Sequence, residues 1–378
     1  MSGMFAVGFE DYLFAGLLPG ISTSLQTSVV AVAQGCAVYG LAYVLSIPLC
    51  VFMVTRFPTR TVLIMALALF ITGNFITLLS PNLTLYLISR VGAGLGCGMF
   101  LPVAVAAAIQ IVGTDFRGRA LSMMWGANCA GAVVGVPLGL WLAQRMGWHA
   151  SIMVILALAS ASLLGIVIEK YAVGIEALPP SLEEQLNLLL DPRVLAVVGI
   201  TLLTATSCLG LYSYISQVLA GSVSSSDSAF SLWSIGGLIG STGVGYVVDR
   251  LKNPQIVMLL ILATLTTTIG VIPVIRNDPI FGLVPFFIWG AMGWASVTPQ
   301  QYNLIKINPD CEALCLTLIT SAVSLGGAFG TALGGMALNS GLSANHLPYV
   351  TSALVCCALV GQGLVIKGQR RWKIGLQK

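Results

Sequence analysis

Charged side chains are scarce in this sequence. Only 8% of its 378 residues are Asp, Glu, Lys or Arg, whereas 57% are hydrophobic. A soluble protein carries about 25% charged residues, because its surface has to stay hydrated. The scarcity of charge therefore excludes a soluble globular protein and indicates an integral membrane protein.

Groups that bind metals or perform acid–base catalysis are also few. The sequence has only two histidines, His149 and His346, and most of its nine cysteines lie in apolar runs, where a thiol packs as a small hydrophobe. No zinc cluster, and no combination of nucleophile, base and orienting group, can be assembled from these residues. We therefore expect no metal, no cofactor and no enzymatic activity.

Apolar runs long enough to cross a bilayer, at about 20 residues each, dominate the chain. Six precede and six follow a polar stretch at 169–193, in which Pro179 and Pro180 interrupt helix formation. The runs lie at residues 3–20, 29–54, 61–79, 84–112, 119–142, 149–168, 194–220, 229–248, 254–275, 279–300, 313–338 and 347–367. The sequence thus predicts an all-α membrane protein with twelve transmembrane helices, in which six-helix bundles at 1–168 and 194–378 flank a cytoplasmic linker at 169–193.

Glycines repeat at the same spacing in both halves, displaced by 195 residues. They are Gly131, Gly135 and Gly139 in the fifth run and Gly326, Gly330 and Gly334 in the eleventh. A glycine at every fourth position leaves a bare ridge on a helix, so that a neighbouring backbone can approach closely. Such a repeat is expected where two pseudo-symmetric bundles rock against each other around a central site.

Basic residues indicate the orientation of the spans. If the amino terminus is cytoplasmic, 14 of the 17 Lys and Arg residues fall in cytoplasmic loops and the carboxyl-terminal tail. Only Arg145 and Arg276 fall in outer loops, and Arg90 lies within a span. Because basic residues accumulate on the cytoplasmic side, both termini are predicted to be cytoplasmic. The basic tail is interpreted as an anchor at the lipid bilayer, and no nucleic acid is expected as a partner.

Three charged residues are predicted to lie inside the membrane: Glu10, Asp11 and Arg90. Glu10 is about nine residues into its span, roughly 13 Å deep. A buried Arg needs a partner, so an acid at position 10 or 11 could pair with Arg90, directly or through water or a substrate. A carboxyl group in such a cavity can take up and release protons as access changes from one side to the other. A salt bridge that only fixes helix packing is the structural alternative.

Aromatic and polar residues of the seventh and tenth runs are candidates for a substrate cavity. They are Tyr212, Tyr214, Gln217, Trp289 and Trp294. Aromatic and hydroxyl groups together suit an amphipathic organic solute. For each residue taken singly, helix packing or a place in the interfacial aromatic belt is an open alternative.

Three stretches resemble motifs of one transporter family: GFEDYLFAGLLPGI at 8–21, RVGAGLG at 90–96 and GAVVGVPLGLWLAQRMGW at 131–148. They are similar to the opening helix, the fourth-helix arginine motif and the fifth-helix antiporter motif of the major facilitator superfamily. Within it, the chain resembles the drug:proton antiporter group that includes bacterial sugar and nucleoside efflux permeases. The resemblance covers essentially the whole chain.

Specific roles follow from this resemblance. It implies that Asp11, with Glu10 as an additional acid, and Arg90 take part in proton coupling. It also implies that the antiporter motif, associated with exporters, comprises Gly131, Gly135, Pro137 and Gly139.

A cytoplasmic loop motif of the family is only partly present, and its second-half copy is the better match. There it reads GYVVDR at 245–250, whereas the first half reads VFMVTRFPTR at 51–60, with Val51 and Thr55 in place of the glycine and the aspartate. The residues that the resemblance assigns to a cytoplasmic latch are Arg56, Arg60, Gly245, Asp249 and Arg250.

The sequence and the resemblance together predict a monomeric transporter of the bacterial inner membrane. It would export a small organic solute in exchange for protons by alternating access, and drug, sugar and nucleoside-like solutes all stay open. Two alternatives remain: a facilitator or proton symporter for uptake, and a non-transporting membrane receptor or assembly factor on the same scaffold. A channel is disfavoured, because buried acids in a two-fold repeat replace the rings that line pores.

Overall fold

In the computed structural model of this chain, the described residues form helices, most of them joined by short turns. It describes residues 1–112, 117–168, 191–223, 225–251, 253–278, 281–308 and 312–375. The chain divides into two compact units, Met1–Pro179 and Pro180–Lys378. No β-strand occurs among the described residues, and eleven of their helices are long and apolar enough to cross a membrane. The predicted all-α membrane fold class is confirmed.

The first unit contains all six predicted runs, each within four residues of its expected ends. Its helices are α1 (Ser2–Ser24), α2 (Val29–Arg56), α3 (Thr59–Leu79), α4 (Leu83–Val112), α5 (Arg117–Ala130), α6 (Val136–Met146) and α7 (Trp148–Ile168). A π-helical turn at Gly131–Gly135 joins α5 to α6, so these three segments together form the fifth span.

The second unit repeats this order with two interruptions. Its helices are α8 (Pro192–Tyr212), α9 (Ile215–Val218), α10 (Ser226–Leu251), α11 (Pro254–Ile275), α12 (Val284–Ala295), α13 (Val297–Ile307), α14 (Glu312–Asn339) and α15 (Leu347–Gly375), with a 3₁₀ turn at Ala344–His346 before α15. The seventh run is therefore divided into α8 and α9, and the tenth into α12 and α13.

The break in the tenth run has a local cause. Pro299 has no N–H to donate to the carbonyl of Ala295, and its ring crowds that carbonyl, which interrupts a helix. Ser296 at the break donates its side-chain hydroxyl to the Gly293 carbonyl at 2.6 Å, and its N–H points to the carbonyls of both Met292 and Gly293. The tenth run was predicted near 279–300, whereas its helical segments begin at Val284 and extend to Ile307.

The first helix of the second unit begins inside the predicted linker. Asp191 accepts a hydrogen bond from the N–H of Arg193 at 2.8 Å, and Pro192 occupies the start of α8, where a missing N–H costs nothing. Hydrogen bonds from Arg193 hold the pKa of the Asp191 carboxyl below its usual value. Residues 169–190 lie outside the described residues, so the linker itself stays a prediction.

The glycine ridges lie against the first helix of their own unit. A Cβ atom at Gly131 would overlap the backbone of Phe5 and Phe9 in α1, and one at Gly139 would meet Leu13. In the second unit the equivalent ridge of α14 faces α8, where a Cβ at Gly330 would overlap the Thr206 carbonyl. Glycine thus brings the fifth and eleventh spans into backbone contact with the first and seventh.

Gly131→Ala should destabilise the first unit by about 1–3 kcal/mol, because the added methyl group meets backbone rather than a flexible side chain. Gly126→Ala is the matched control on α5, since a Cβ there has open space around it. That control should be neutral or stabilise by up to about 1 kcal/mol through helix propensity. Thermal unfolding of both variants in one detergent tests this; equal stabilities would contradict the close contact.

Candidate functional site

The helix α1 is the most deeply buried of the candidate spans. It packs against α5 through Gly8, where a Cβ would overlap the Asn128 backbone, and against α6 through Gly16, where a Cβ would meet Leu140. The helix that carries both acids is therefore fixed in position by close packing of its backbone.

Glu10 forms a buried ion pair with Arg90. The Arg90 Nη2 to Glu10 Oε1 distance is 2.6 Å, and Glu10 and Arg90 are 1% and 2% exposed. Asn74 of α3 donates its side-chain N–H to the second oxygen, Oε2, at 2.6 Å and also to the Phe70 carbonyl at 3.1 Å. Both carboxylate oxygens thus have a donor, which is what a charge pair needs in an apolar interior.

Aromatic rings enclose the guanidinium of Arg90. Its Cζ lies 3.8 Å from the centre of the Phe14 ring and 4.7 Å from that of Tyr39. Such contacts stabilise a cation that has been removed from water. The pair, the amide and the two rings together form a compact charge cluster between α1, α2, α3 and α4.

Asp11 has a different environment from its neighbour. It is exposed, and its Oδ1 accepts a hydrogen bond from the Tyr39 hydroxyl at 2.7 Å. Successive residues of a helix point about 100° apart, so one acid faces the protein interior while the other does not. The same Tyr39 contacts both parts of the site, because its hydroxyl binds Asp11 and its ring lies beside Arg90.

The two acids therefore differ in how their charge is compensated. Glu10 has its charge matched by Arg90, and removing that charge would leave a buried cation that cannot lose its own proton. Asp11 is the more exposed of the two carboxyl groups, and its recorded hydrogen bond is to the neutral hydroxyl of Tyr39. The structure thereby selects Glu10 as the partner of Arg90, a choice that the sequence had left open between positions 10 and 11.

Sequence reasoning missed three residues of this cluster: Asn74, Tyr39 and Phe14. Asn74 carried a usable signal, since it is a lone amide in the apolar run LALFITGNFITLL at 67–79 and an amide in hydrocarbon needs partners. Tyr39 and Phe14 carried none, because aromatic residues are common in spans whatever they touch.

The antiporter-motif residues pack around the same helix. Gly135 and Gly139 leave room for the ring of Phe9, which directly precedes Glu10 on α1. Pro137 follows the π turn, and because it cannot donate to the Val133 carbonyl, the wider turn accommodates the mismatch. π turns inside α-helices are frequent at functional sites.

The two first-half latch residues, Arg56 and Arg60, contact different parts of the first unit. Arg60 donates from Nε to the Ile166 carbonyl at 3.1 Å and from Nη2 to the Val167 carbonyl at 2.6 Å. It therefore caps the carboxyl end of α7, where unpaired carbonyls and the helix dipole favour a cation. Arg56 is exposed, with its guanidinium 4.2 Å from the centre of the Phe52 ring.

Arg60→Ala should release the last turn of α7. We expect a loss of about 1–2 kcal/mol, because two carbonyls lose a charged donor, and faster hydrogen exchange at the end of that helix. Arg56→Ala is the control, since its contact with Phe52 is exposed and should be worth less than about 1 kcal/mol. Equal exchange at residues 160–168 in both variants would contradict the capping role.

The second-half latch stays a prediction. Gly245 has open space around its Cα, and Arg250 is exposed at the end of α10. The side chain of Asp249 lies outside what the structure describes.

The candidate cavity residues are placed unequally in the second unit. Tyr212 and Trp289 are buried in an aromatic cluster in which Trp233 lies 4.3 Å from Tyr212 and 6.1 Å from Trp289, centroid to centroid. Trp294 is partly exposed, with its centroid 5.8 Å from that of Trp233. Trp233 joins these residues and was not among the candidates.

Two further candidates lie beyond the end of α8. The hydroxyl of Tyr214 donates to the Thr331 carbonyl of α14 at 2.7 Å, which draws it into the packed interior. Gln217 is partly exposed on α9. A cavity-lining role therefore suits Gln217 and Trp294 better than Tyr214, and for all of them it stays a prediction.

Comparison with known proteins identifies the family of this chain. The sequence profile of the Major Facilitator Superfamily matches residues 1–331. The inner membrane transport protein YdhP of Escherichia coli K12 is 26% identical over 363 residues, covering 95% of this chain and 92% of that protein.

Solved structures show the same fold. The nucleoside transporter NupG superposes with a TM-score of 0.78 at 10% identity, covering 97% of both chains. The D-xylose-proton symporter gives a TM-score of 0.77 at 17% identity, covering 96% of this chain and 95% of that one. With the family profile matching most of its length, this chain belongs to the Major Facilitator Superfamily and is a membrane transporter of small solutes.

Proposed function

We propose that this transporter exports a small organic solute in exchange for protons. The observation that carries the proposal is that two adjacent acids on α1 have opposite environments. Asp11 is exposed, whereas Glu10 is buried in an ion pair with Arg90. A coupled transporter needs a carboxyl group that water and solute can reach. The charge of that group also has to change the interactions that hold the helices together.

Tyr39 is the proposed link between Asp11 and the Glu10–Arg90 pair. It donates to the Asp11 carboxylate, and its ring contacts the Arg90 guanidinium. Protonation of Asp11 removes the negative charge that holds the Tyr39 hydroxyl. The Tyr39 ring beside Arg90 is then no longer fixed by a hydrogen bond to a charged carboxylate. Protonation of Asp11 would in this way alter the packing of the charge cluster between α1 and α4.

Export, rather than uptake, is inferred from the fifth span. Its antiporter motif packs on α1 at Phe5, Phe9 and Leu13, the turns of helix that flank both acids. A change in the angle at the π turn would thus act on the helix that carries the proton site. The resemblance of this motif to exporters gives the direction.

We also propose a location, an orientation and an oligomeric state for the transporter. The excess of basic residues in one set of loops supports a bacterial inner membrane location with both termini in the cytoplasm, and the YdhP protein is named as an inner membrane protein. A monomer is proposed, with solute, protons and lipid as its partners. Polar and aromatic residues such as Gln217 and Trp294 would meet the solute.

Proteoliposomes that contain a pH-sensitive dye test the proposal. A panel of sugars, nucleosides and amphipathic drugs is added under an imposed proton gradient, and proton movement and solute flux are recorded together. Export coupling requires solute to move opposite to protons. Solute flux without proton movement would reject coupling. The receptor alternative would be favoured if no solute of the panel moved and if a deletion strain exported the same metabolites as its parent.

Uptake by proton symport is the second candidate. Two observations favour it: the incomplete first-half loop motif at 51–60, and the likeness of fold to a D-xylose-proton symporter. Inverted membrane vesicles separate the candidates. Acidification of the lumen drives accumulation by an antiporter, whereas a symporter loses solute from the vesicle under the same gradient.

A further inference from the structure

Two buried polar atoms on α4 have no hydrogen-bond partner among the described residues. They are the hydroxyl oxygen of Tyr86 and the Nε of Arg90. Tyr86 is 0% exposed and Arg90 is 2% exposed, and residues four apart lie on the same face of a helix. Buried polar groups nearly always have a partner in the protein or an ordered water, so two such atoms one turn apart need a common explanation.

The face they share is the contact between α4 and α2. A Cβ atom at Gly35 would lie 2.5 Å from both the Tyr86 hydroxyl and its Cε1 atom, so the tip of the ring rests against the α2 backbone. One turn further along both helices, the Arg90 guanidinium lies beside the ring of Tyr39. The Tyr86 hydroxyl and the Arg90 guanidinium therefore both lie against α2, one turn apart.

The hydrogen bonds of the Arg90 guanidinium differ in length. Its Nη2 donates to Glu10 at 2.6 Å, but its Nη1 reaches Asn74 only at 3.5 Å, the limit of a hydrogen bond. An aromatic face is at best a weak acceptor, so Phe14 and Tyr39 do not replace a partner for Nε. The Nε of Arg90 therefore lacks a strong acceptor among the described residues.

We propose that a buried water molecule links the Tyr86 hydroxyl to Arg90 Nε, and that Tyr86 is through this water a positioning residue for the Arg90–Glu10 pair. The water accepts from Nε–H and pairs with the tyrosine hydroxyl, which can both donate and accept. Tyr86 lies in the first turn of α4, so the water site is near one end of the span. Its meaning for transport rests on the proposed function, but its existence does not.

Radiolytic labelling of the intact protein in nanodiscs tests the water directly. X-rays generate hydroxyl radicals from bound water, and these oxidise adjacent side chains even where bulk solvent has no access. Tyr214 is the matched control: it is equally buried at 0% exposure, but its hydroxyl donates directly to a protein carbonyl. We expect Tyr86 to be labelled severalfold faster than Tyr214. Equal labelling rates would overturn the proposal.

The sign of a stability change provides a second test. Tyr86→Phe should lower the melting temperature by about 3 °C, because a water-mediated bond is nearly as good as a direct one. Tyr214→Phe should lower it similarly, and Tyr349→Phe, at a side chain 46% exposed, should leave it unchanged. If the Tyr86 hydroxyl were buried without any partner, its removal would raise the melting temperature, so an unchanged or higher value rejects the water.

Non-additivity identifies Arg90 as the other end of the link. Lysine has no group equivalent to Nε, so Tyr86→Phe should have little further effect in an Arg90→Lys background. Additive shifts would overturn the link to Arg90. Labelling of the unmodified protein decides the case if Arg90→Lys fails to fold. Absence of proton coupling in the unmodified protein, with Tyr86 labelled as expected, would reject the proposed function and leave this water site intact.

Discussion

Glu10→Leu is expected to destabilise the first unit by about 3–5 kcal/mol, because it leaves the Arg90 charge buried without its partner. Arginine cannot lose its proton, so the cost cannot be avoided by neutralisation. Phe14 and Tyr39 would still contact the guanidinium, and Asn74 would lose its acceptor. The expected result is a large fall in the thermal unfolding temperature in detergent.

A double variant separates the cost of the unpaired charge from the loss of the residue itself. Glu10→Leu combined with Arg90→Met should recover most of the lost stability, because a well-packed apolar pair replaces buried ions without penalty. Arg193→Met is the matched control, since its ion pair with Asp191 is 60% exposed on the arginine side and should matter by less than about 1 kcal/mol. A Glu10→Leu protein as stable as the control would show that the buried pair is not formed in solution.

Asp11→Asn is expected to abolish proton coupling while leaving the fold intact. Asparagine keeps an oxygen that can accept from Tyr39, and because position 11 is exposed, no buried charge is left unpaired. It cannot, however, bind or release a proton. Proton movement driven by solute in proteoliposomes should fall to the level of protein-free liposomes, whereas solute–solute exchange should persist.

Tyr39→Phe serves as the comparison for this variant. It removes the hydroxyl that binds Asp11 but keeps the ring beside Arg90, so coupling should weaken without being lost. An Asp11→Asn protein that still couples, and does so even with Glu10→Gln added, would contradict the assignment of the proton to α1. Loss of coupling only in the double variant would move the proton site to Glu10.

Helix positions were largely predictable, because hydrocarbon admits only segments whose backbone groups are satisfied internally. The runs of the first unit are found within four residues of their expected ends. The tenth run was misplaced although Pro299 was visible in the sequence. Whether a proline at this position interrupts the helix near Ala295 depends on how the neighbouring helices pack around it. The pattern of apolar residues does not show that packing.

The two acids illustrate a different limit. Position along the span placed Glu10 and Asp11 at the same depth, and only the rotation of α1 relative to α3 and α4 decides which one meets Arg90. That rotation follows from Gly8 and Gly16, which bring particular turns of α1 against the fifth span. Likewise, Arg60 was recognisable as a loop cation, but its binding to the end of α7, more than 100 residues away, is a tertiary contact.

The sequence by itself determined the membrane class, the division into six and six spans, the family and the presence of costly charges within α1 and α4. These depend on composition and spacing, which are properties of single segments. Only the tertiary structure decided that Glu10 is buried with Arg90 and Asn74 while Asp11 is exposed beside Tyr39. The environments of two neighbouring residues depend on how the helices rotate and pack against each other, and close contacts at glycines such as Gly8 and Gly16 contribute to that packing.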